Sequence, residues 1–502
     1  MDVTIAGWVY LPIDQLEQYQ IDNIKRDLTL YPRKTTNIAN TPNPEPIFMY
    51  YEDSERGLLG IPRNYYLDIK TMEHNEVLDL SYGEPMGSFE SKVRMDGNFA
   101  EQKNALQTLE HALLQKKWGG VILEAGCGSG KTTMGLELAR RLGKATIILI
   151  HKEFLEKQWI ARIKQVMPDA KVGIIRQKKC DYHGKDFVIA YMPSLARDED
   201  GRYPEEIYRS AFGTLIVDEG HRLGSATWSK LAPKFHCTYR VLLSATLRRA
   251  DKCERVFFDH IGPITYTFKT QTMVPEVRKL YTYSELKGIK RGKYSVSADK
   301  LNSAQMLTQI ARDINRNKDI SDQIVGAVKA GRKVFVLSER LEQLRVLSEM
   351  FNNSQKALGL NATYDFYTGE WFDGVYEKKV GKHKKGSPKM KKRTESDLKT
   401  AESAQVIFAT KQLAFEGMDI TALDVFVMGT PLGDIEQPAG RVRRWCYPEE
   451  EKCKRLCPWR FGRCKGKPTP IILDVIDKNV KAFQTKYYSR VRFYKEIGVK
   501  KL

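Results

Sequence analysis

The segment 121–142 constrains the fold more than any other part of the chain. A short apolar run, Val121 to Leu123, leads into the glycine-rich sequence AGCGSGKT (Ala125 to Thr132), and a helical pattern with one apolar face follows. A strand, a glycine-rich turn and a helix in this order form a phosphate loop, in which backbone N–H groups and the helix N-terminus bind phosphate oxygens. A helix with one apolar face must pack on another element, so the segment predicts an α/β fold.

Two adjacent acids, Asp218 and Glu219, end an apolar run downstream of this loop. In a phosphate-loop enzyme, an acid here holds Mg²⁺ and its neighbour orients or deprotonates the attacking water. By itself such a pair is more typical of an exposed turn, but the loop favours the catalytic interpretation. We therefore predict that Thr132 and Asp218 bind Mg²⁺, that Glu219 acts on the water and that Lys131 reaches the β- and γ-phosphates. The predicted nucleotide-binding residues of the loop are Ala125, Gly126, Cys127, Gly128, Ser129, Gly130, Lys131, Thr132 and Thr133.

Two successive sets of short apolar runs, separated by helical stretches, predict two similar α/β domains with parallel sheets. We place these domains at residues 96–270 and 271–502, after an N-terminal region, 1–95, whose pattern differs. The predicted strands are 121–124, 146–150, 187–190, 214–217 and 240–243 in the first domain, and 333–337, 363–367, 405–409, 425–428 and 471–475 in the second.

The N-terminal region combines a charged helical stretch (14–28), a segment rich in Pro and Asn (31–46) and a hairpin-like pattern (47–67). This combination predicts a small, separate α+β accessory domain. It carries no catalytic constellation, and DNA binding is one of several roles open to it.

The composition is that of a globular protein with a polyanionic partner. The chain has 82 Lys and Arg against 62 Asp and Glu, a net charge of +20, which favours nucleic acid as the partner over a basic surface kept for solubility. Nothing resembles a signal peptide, and no apolar run approaches the roughly twenty residues of a membrane helix. We therefore expect a cytoplasmic protein, monomeric and without a membrane partner, whose thiols are reduced.

Four motifs together carry a resemblance to a known family. AGCGSGKT, DEGH (218–221), SATLRRAD (244–251) and QPAGRVRR (437–444), in this order and spacing, resemble those of superfamily 2 helicases and translocases over about residues 95 to 480. The resemblance implies an α/β chain with two tandem RecA-like domains that hold ATP in the cleft between them, and a nucleic-acid-stimulated ATPase that uses Mg²⁺.

The resemblance also assigns roles to single residues. Gln437, Arg441 and Arg444 correspond to the motif whose arginines stabilise charge on the transferred phosphoryl group, an effect worth roughly 10³ to 10⁵ in rate. We favour Arg444 as the arginine finger and Arg441 as a phosphate contact, although the sequence does not separate them. The other implied residues are Gln102, which reads adenine, Gly417 and Asp419, which approach the nucleotide, and His221, Ser244 and Thr246, which couple hydrolysis to domain movement.

Nucleic-acid contacts are also implied by the resemblance, and they would grip the phosphodiester backbone without reading sequence. The implied residues are His151, Lys152, Pro193, Ser338, Arg340 and Thr410. A basic insertion, 377–393, adds to the positive charge. It is typical of a disordered, solvated loop, and it could also act as an electrostatic tether for duplex arms.

Four of the eight cysteines, Cys446, Cys453, Cys457 and Cys464, follow the arginine motif within a basic segment. Four thiolates could bind structural Zn²⁺ and fold a segment too short for a core of its own. Their spacing is not the familiar paired C-x-x-C arrangement, so free reduced thiols and redox pairing remain alternatives.

The N-terminal region narrows the resemblance. Arg26 to Leu28 with Pro32, followed by GIPRNYY (60–66), is similar to the front of viral DNA helicases in the branch that contains poxvirus transcript-release and phage recombination helicases. This similarity implies an ATP-dependent motor on branched DNA, such as forks and Holliday junctions, in phage replication, recombination or repair. An RNA helicase and a translocase that does not separate strands remain alternatives. A binding module with an inactive site is disfavoured, because no expected catalytic position is substituted.

Overall fold

The computed structural model describes residues 2–33, 44–69, 75–95, 99–126, 129–198, 201–249, 251–268, 272–291, 294–376, 388–416, 420, 422–444 and 467–500. Several predicted features therefore lie outside the described residues: Cys127, Gly128, Gly417, Asp419, all four clustered cysteines and positions 377–387 of the basic insertion. The chain divides into two compact units, Met1–Thr270 and Gln271–Leu502. Among the described residues, no helix has the length and apolar character needed to cross a bilayer.

The first unit begins with a mixed five-stranded sheet in the order β5-β6-β2-β1-β7. Helix α1 packs on its core through Ile21 and Ile24, three residues apart and so on one face. The predicted helix and hairpin are present as α1 and β5–β6, which makes this region α+β. Its elements are β1 (Asp2–Ile5), β2 (Val9–Pro12), α1 (Gln18–Asp27), β3 (Thr29–Leu30), β4 (Ile47–Phe48), β5 (Tyr51–Asp53), β6 (Leu58–Ile61), α2 (Arg63–Ile69) and β7 (Asn75–Leu78).

An eight-stranded sheet follows in the first unit, in the order β11-β10-β12-β9-β13-β14-β8-β15, and only β11 runs antiparallel to its neighbour. Its central strands are continuous apolar runs because helices cover both faces. All five predicted strands are present, whereas β10, β11 and β15 were not predicted. The elements are α3 (Ala100–Leu114), β8 (Gly119–Ala125), α4 (Lys131–Leu142), β9 (Thr146–Ile150), α5 (Glu153–Val166), β10 (Val172–Arg176), β11 (Lys179–Asp181), β12 (Phe187–Tyr191), α6 (Met192–Ala196), α7 (Glu206–Arg209), β13 (Thr214–Asp218), β14 (Tyr239–Ser244), α8 (Arg255–His260) and β15 (Ile264–Phe268).

The second unit has a parallel six-stranded sheet in the order β16-β25-β24-β19-β23-β20. Apolar clusters lie on both of its faces, as expected for an α/β domain with helices on each side of a parallel sheet. The basic insertion was predicted to be a loop, but its residues 388–392 form strand β22, which pairs with β21. The elements are β16 (Glu276–Thr282), β17 (Ile289–Arg291), β18 (Tyr294–Val296), α9 (Ser303–Ala311), α10 (Ile314–Lys329), β19 (Val334–Ser338), α11 (Leu341–Ala357), β20 (Tyr364–Tyr367), β21 (Glu370–Tyr376), β22 (Pro388–Lys392), α12 (Glu395–Ser403), β23 (Val406–Thr410), α13 (Lys411–Glu416), β24 (Val425–Met428), α14 (Glu436–Arg443), β25 (Ile471–Asp477) and α15 (Lys481–Glu496).

Candidate nucleotide site and nucleic-acid contacts

The phosphate loop joins the end of β8 to the start of α4. The Ser129 hydroxyl donates to the Gly126 carbonyl at 2.7 Å, and the Ser129 N–H points at the same oxygen at 3.3 Å. Gly130 precedes α4 with φ of +88°, a left-handed conformation that costs glycine little and other residues more. The first N–H groups of α4 have no partner within the helix, so they are available to an anion at this end.

Two buried polar atoms beside the loop lack partners. The Lys131 ammonium is buried, lies 3.9 Å from Glu219 Oε1 and makes no hydrogen bond to any described residue. Gln102 donates weakly to the Ser129 carbonyl at 3.4 Å, while its Oε1 has no partner in the described part of the chain. Buried polar groups without partners destabilise a fold, so this arrangement fits a site that an anionic, hydrogen-bonding ligand completes.

The two acids differ in their environments. Asp218 ends β13, and its carboxylate accepts from Trp159 Nε1 at 2.8 Å and from the Glu219 N–H at 2.9 Å. Burial, with the nearby charge of Glu219, raises the pKa of Asp218 to about 6. Burial also acts to raise the pKa of Glu219, but attraction by Lys131 and His221 outweighs it and lowers that pKa. Oxygen ligands of this kind suit a hard cation such as Mg²⁺, which would favour ionised Asp218.

His221 connects the acids to the end of β14. Its Nδ1 lies 3.2 Å from Ser244 Oγ and 3.4 Å from Glu219 Oε2. The Ser244 hydroxyl donates its proton to the Thr246 carbonyl at 2.6 Å, so His221 Nδ1 must be the donor to Ser244. Burial lowers the pKa of His221, which favours a neutral ring with its proton on Nδ1. The three predicted coupling residues therefore form one hydrogen-bonded chain.

Arg249 is a functional candidate that sequence reasoning passed over. Its guanidinium donates to the His221 carbonyl and forms a two-pronged pair with Asp251, with Nε 2.8 Å from Oδ1. A Cβ on Gly224 would lie 2.6 Å from the Arg249 side chain, so a larger residue there would displace the guanidinium from this position. The Asp251 carbonyl in turn accepts from the N–H of Arg33 in the N-terminal region, at 3.0 Å. The sequence did not indicate the contacts of Arg249, because an arginine two residues before an acid is a common pattern.

The arginine motif of the second unit lies on α14. Arg441 is buried on the helix and Arg444 follows its last residue, with the Arg444 carbonyl accepting from Lys467 Nζ at 2.9 Å. Gln437 lies in the first turn. Arg443, which was not predicted, donates to the Met273 carbonyl at 3.0 Å and to Thr272 Oγ1 at 2.6 Å. Arg443 therefore anchors the end of the motif within the second unit.

Comparisons with known proteins indicate the family of the chain. The family model described as the type III restriction enzyme res subunit matches residues 98–249. The "Putative ATP-dependent RNA helicase L396" of Acanthamoeba polyphaga mimivirus is 28% identical over 484 residues, 96% of this chain and 82% of its own. The "Probable helicase D10" of Escherichia phage T5 is 22% identical over 366 residues, 71% of this chain and 68% of its own. The chain belongs to helicase superfamily 2. A third relative, the "DNA 3'-5' translocase XPB2" of Sulfurisphaera tokodaii, is 28% identical over 225 residues, 44% of this chain and 46% of its own.

The predicted nucleic-acid residues of the helicase's first unit follow the ends of parallel strands. His151 follows β9, and burial, with the nearby charge of Arg222, lowers its pKa to about 4, so its ring is neutral at physiological pH. Lys152 precedes α5, and Pro193 lies in the first turn of α6 after β12. The carboxyl ends of β9 and β12 are adjacent, so the three residues share one edge of the sheet.

In the second unit, Ser338 and Thr410 end the paired strands β19 and β23. The buried Ser338 hydroxyl donates to Gln343 Oε1 at 2.7 Å. Arg340 donates to Thr308 Oγ1 at 3.1 Å and to the Ala304 carbonyl at 2.9 Å. The side chains of Ser338 and Arg340 therefore form hydrogen bonds within the second unit.

The predicted zinc site falls on residues outside the described part of the chain. Within that part, no group of three or more His, Cys, Asp or Glu side chains is arranged to hold a metal ion. The structure therefore lends the zinc interpretation no support.

Proposed function

We propose that this superfamily 2 ATPase is a DNA helicase or translocase that unwinds or remodels branched DNA, such as forks and Holliday junctions, in phage replication, recombination or repair. The buried Lys131 ammonium, without a hydrogen-bond acceptor among the described residues and 3.9 Å from Glu219, carries the ATPase part of the proposal. A polyanionic track is supported by the net charge of +20.

The residues of the first unit divide the chemistry of ATP hydrolysis. Lys131 and the N-terminus of α4 would bind the phosphates, and Gln102 Oε1 would accept from the adenine. Glu219, kept ionised by Lys131, would orient the attacking water and take its proton. Thr132 and Asp218 would hold Mg²⁺, which neutralises charge on the phosphates when bound.

The residues of the second unit would complete the reaction by stabilising the charge on the transferred phosphoryl group. We assign the finger to Arg444, a phosphate contact to Arg441, and supporting nucleotide contacts to Gln437, Gly417 and Asp419. Arg443, tied to Met273 and Thr272, would fix the position of Arg444 beside it. Hydrolysis and product release would then drive a monomer along the DNA backbone.

DNA rather than RNA is favoured by one relative and by the N-terminal region. That relative is named as a DNA 3'-5' translocase, and the GIPRNYY segment is similar to that of viral DNA helicases. His151, Lys152, Pro193, Arg340 and Thr410 are the proposed backbone contacts of the motor domains, with residues 1–95 as an accessory domain. Ser338, predicted as a further contact, would instead support the end of β19 through its bond to Gln343.

The deciding experiment scores strand separation on a blunt duplex, a fork and a four-way junction of equal strand length, with and without ATP. We expect ATP-dependent product from the fork and the junction, little from the blunt duplex, and none with Lys131→Ala. Equal product from all three substrates would contradict the preference for branched DNA.

A second candidate, an RNA helicase, is favoured by the name of the mimivirus relative, which covers nearly the whole chain. Stimulation of ATP hydrolysis by DNA and RNA strands of equal length and sequence separates the two. RNA stimulating ATP hydrolysis more strongly than DNA would replace the DNA proposal with this one. Stimulation by duplex DNA without strand separation would instead indicate a translocase.

A further inference from the structure

The parallel strands of the second unit end at one edge of their sheet. Two predicted nucleic-acid residues lie at this edge: Arg340 follows the end of β19, and Thr410 is the last residue of β23. Because β24, β25 and β16 run parallel to β19, their carboxyl ends lie along the same edge. The edge therefore continues past the helicase motifs to the residues that follow β25 and β16.

Aromatic and basic side chains meet there. Tyr281 and Tyr283 are 42% and 68% exposed, so both rings are accessible to a ligand. Lys478 Nζ lies 4.6 Å from the centroid of the Tyr281 ring, and Lys279 Nζ lies 5.9 Å from that of Tyr487 on α15. We call Lys279, Tyr281, Tyr283, Lys478 and Tyr487 the tyrosine–lysine surface.

The backbone beneath this surface is held firmly. The Lys478 N–H donates to the Thr282 carbonyl at 2.9 Å, and Asn479 Nδ2 donates to the Tyr283 carbonyl at 3.0 Å. Thr282 Oγ1 donates to the buried carboxylate of Asp477 at 2.9 Å. The tyrosines therefore project from an ordered strand end, so a ligand would meet them with little further loss of backbone entropy.

The charge of the neighbourhood matches a polyanion. Helix α15, which supplies Tyr487, has five Lys or Arg and one Glu in its sequence KAFQTKYYSRVRFYKE. Arg490 is buried and paired with Asp474, which leaves four basic residues for the surface. Exposed aromatic rings next to ammonium groups are what single-stranded nucleic acid requires, since bases stack on the rings and phosphates meet the cations. A protein partner would more often bury a connected apolar patch, which this surface does not present.

We propose that the tyrosine–lysine surface binds single-stranded DNA as an extension of the track at Arg340 and Thr410. Bases stack on Tyr281 and Tyr283, and Lys478 and Lys279 contact phosphates. Strands β19 and β16 are three neighbours apart in the sheet, about 14 Å at about 4.8 Å per strand, a distance that a few nucleotides span. The inference rests on the proposed function, because it presupposes a nucleic-acid motor.

The test measures binding of a fluorescein-labelled oligothymidylate to the full chain by fluorescence anisotropy. The double variant Tyr281→Leu, Tyr283→Leu keeps apolar side chains but removes the rings, and we expect at least about tenfold weaker binding. Lys478→Gln should reduce the slope of log affinity against log salt by about one. Unchanged thermal melting of each variant shows that the fold is intact.

The matched control is a second exposed tyrosine–lysine pair. Tyr82 is 54% exposed, and Lys144 Nζ lies 5.7 Å from the centroid of its ring. Lys144 precedes the amino end of β9, so this pair lies at the amino edge of the first sheet, opposite the carboxyl edge that holds the predicted nucleic-acid residues. Tyr82→Leu should leave oligothymidylate binding unchanged. Equal weakening by Tyr82→Leu would show a general effect of surface tyrosines and would overturn the proposal.

A second readout separates stacking from indirect effects. A 2-aminopurine base in the strand is quenched when it stacks on an aromatic ring, and the double tyrosine variant should lose this quenching at saturating protein. If the double tyrosine variant binds within twofold of the wild type and quenches 2-aminopurine equally, the proposed role of the tyrosine–lysine surface is refuted and the proposed function is not affected. Failure of the unmodified chain to bind any single strand would instead refute the proposed function.

Discussion

Two sites at the carboxyl edges of the parallel sheets differ in how their buried polar groups are bonded. In the first sheet, Lys131 Nζ and Gln102 Oε1 are buried without hydrogen-bond partners among the described residues. In the second sheet, the buried Arg316 guanidinium donates to Asp477 at 2.7 Å and to the Gly429 carbonyl at 2.6 Å. A group left without a partner costs stability unless a ligand supplies one, whereas a satisfied network stabilises a single arrangement.

This difference indicates a division of labour between the two units. The first contributes groups whose bonding is completed by a substrate, so changing them should alter catalysis more than stability. At Arg316 and Asp477 the second contributes a rigid support, so changing these two buried charges should alter stability first. Four substitutions can break or sharpen this contrast.

Lys131→Ala should have the largest effect on activity. Removing a cation that stabilises phosphate charge should lower nucleic-acid-stimulated ATP hydrolysis by at least about a hundredfold. Single-strand binding should survive, because Lys131 lies in the nucleotide site. Steady-state hydrolysis measured beside the exposed Lys116→Ala checks this, and near-normal turnover by Lys131→Ala would refute the nucleotide site.

Arg316→Ala should destabilise the second unit by about 3–5 kcal/mol, since it leaves the Asp477 carboxylate buried without its cation. Both side chains are almost fully buried, at 1% and 0% exposure, so solvent does not screen the loss. Urea unfolding of the full chain, followed by fluorescence, measures the change. A loss below about 1 kcal/mol, the range of exposed pairs, would mean that the second sheet edge is no more rigid than an ordinary surface.

Arg249→Ala should lower the kcat of stimulated ATP hydrolysis about tenfold while the KM for ATP stays constant. The reason is that Arg249 donates to the His221 carbonyl and so positions the turn carrying His221, and a charged hydrogen bond is worth about 1.5–3 kcal/mol. Arg249→Lys should fail to restore kcat, because lysine cannot form the two-pronged pair with Asp251. A comparable loss of kcat in the exposed neighbour variant Arg248→Ala would remove this specific role.

Ser338→Ala should have the smallest effect. It removes one buried hydrogen bond to Gln343 and should cost about 1 kcal/mol of unfolding free energy. Because the hydroxyl is already engaged, single-strand affinity should stay within twofold of the wild type. A clear loss of affinity without loss of stability would restore Ser338 as a direct nucleic-acid contact.

The strands and the phosphate loop were predictable because their signals are local. Runs such as Thr146–Ile150 and Val334–Ser338 are uniformly apolar, as strands buried on both faces must be. The edge strand β15, none of whose residues is fully buried, and the short hairpin β10–β11 have no such signal. The hydrogen bond from Arg340 to the Ala304 carbonyl was not predicted either. The sequence does not distinguish an arginine exposed to solvent from one that donates to backbone carbonyls.

The N-terminal region shows a similar limit. Arg63 is buried and donates to the carbonyls of Ala6 and Cys237, at 2.6 and 2.8 Å. Arg240 donates to the carbonyls of Gly7 and His260, both at 2.7 Å. These two arginines tie residues more than a hundred positions apart within the first unit. No local pattern marks them, because arginine is ordinarily exposed.

The sequence by itself determined most strands of the two parallel sheets, the phosphate loop with its acids, and the membership in helicase superfamily 2, because each depends on residues close together in the chain or on motifs in a fixed order. The tertiary structure alone decided which polar groups lack partners and which are satisfied, that Arg249 supports His221, and that Tyr281 and Tyr283 join the strand ends near Arg340. Those relations depend on the register of parallel strands and on buried carbonyls, and folding alone brings these groups together.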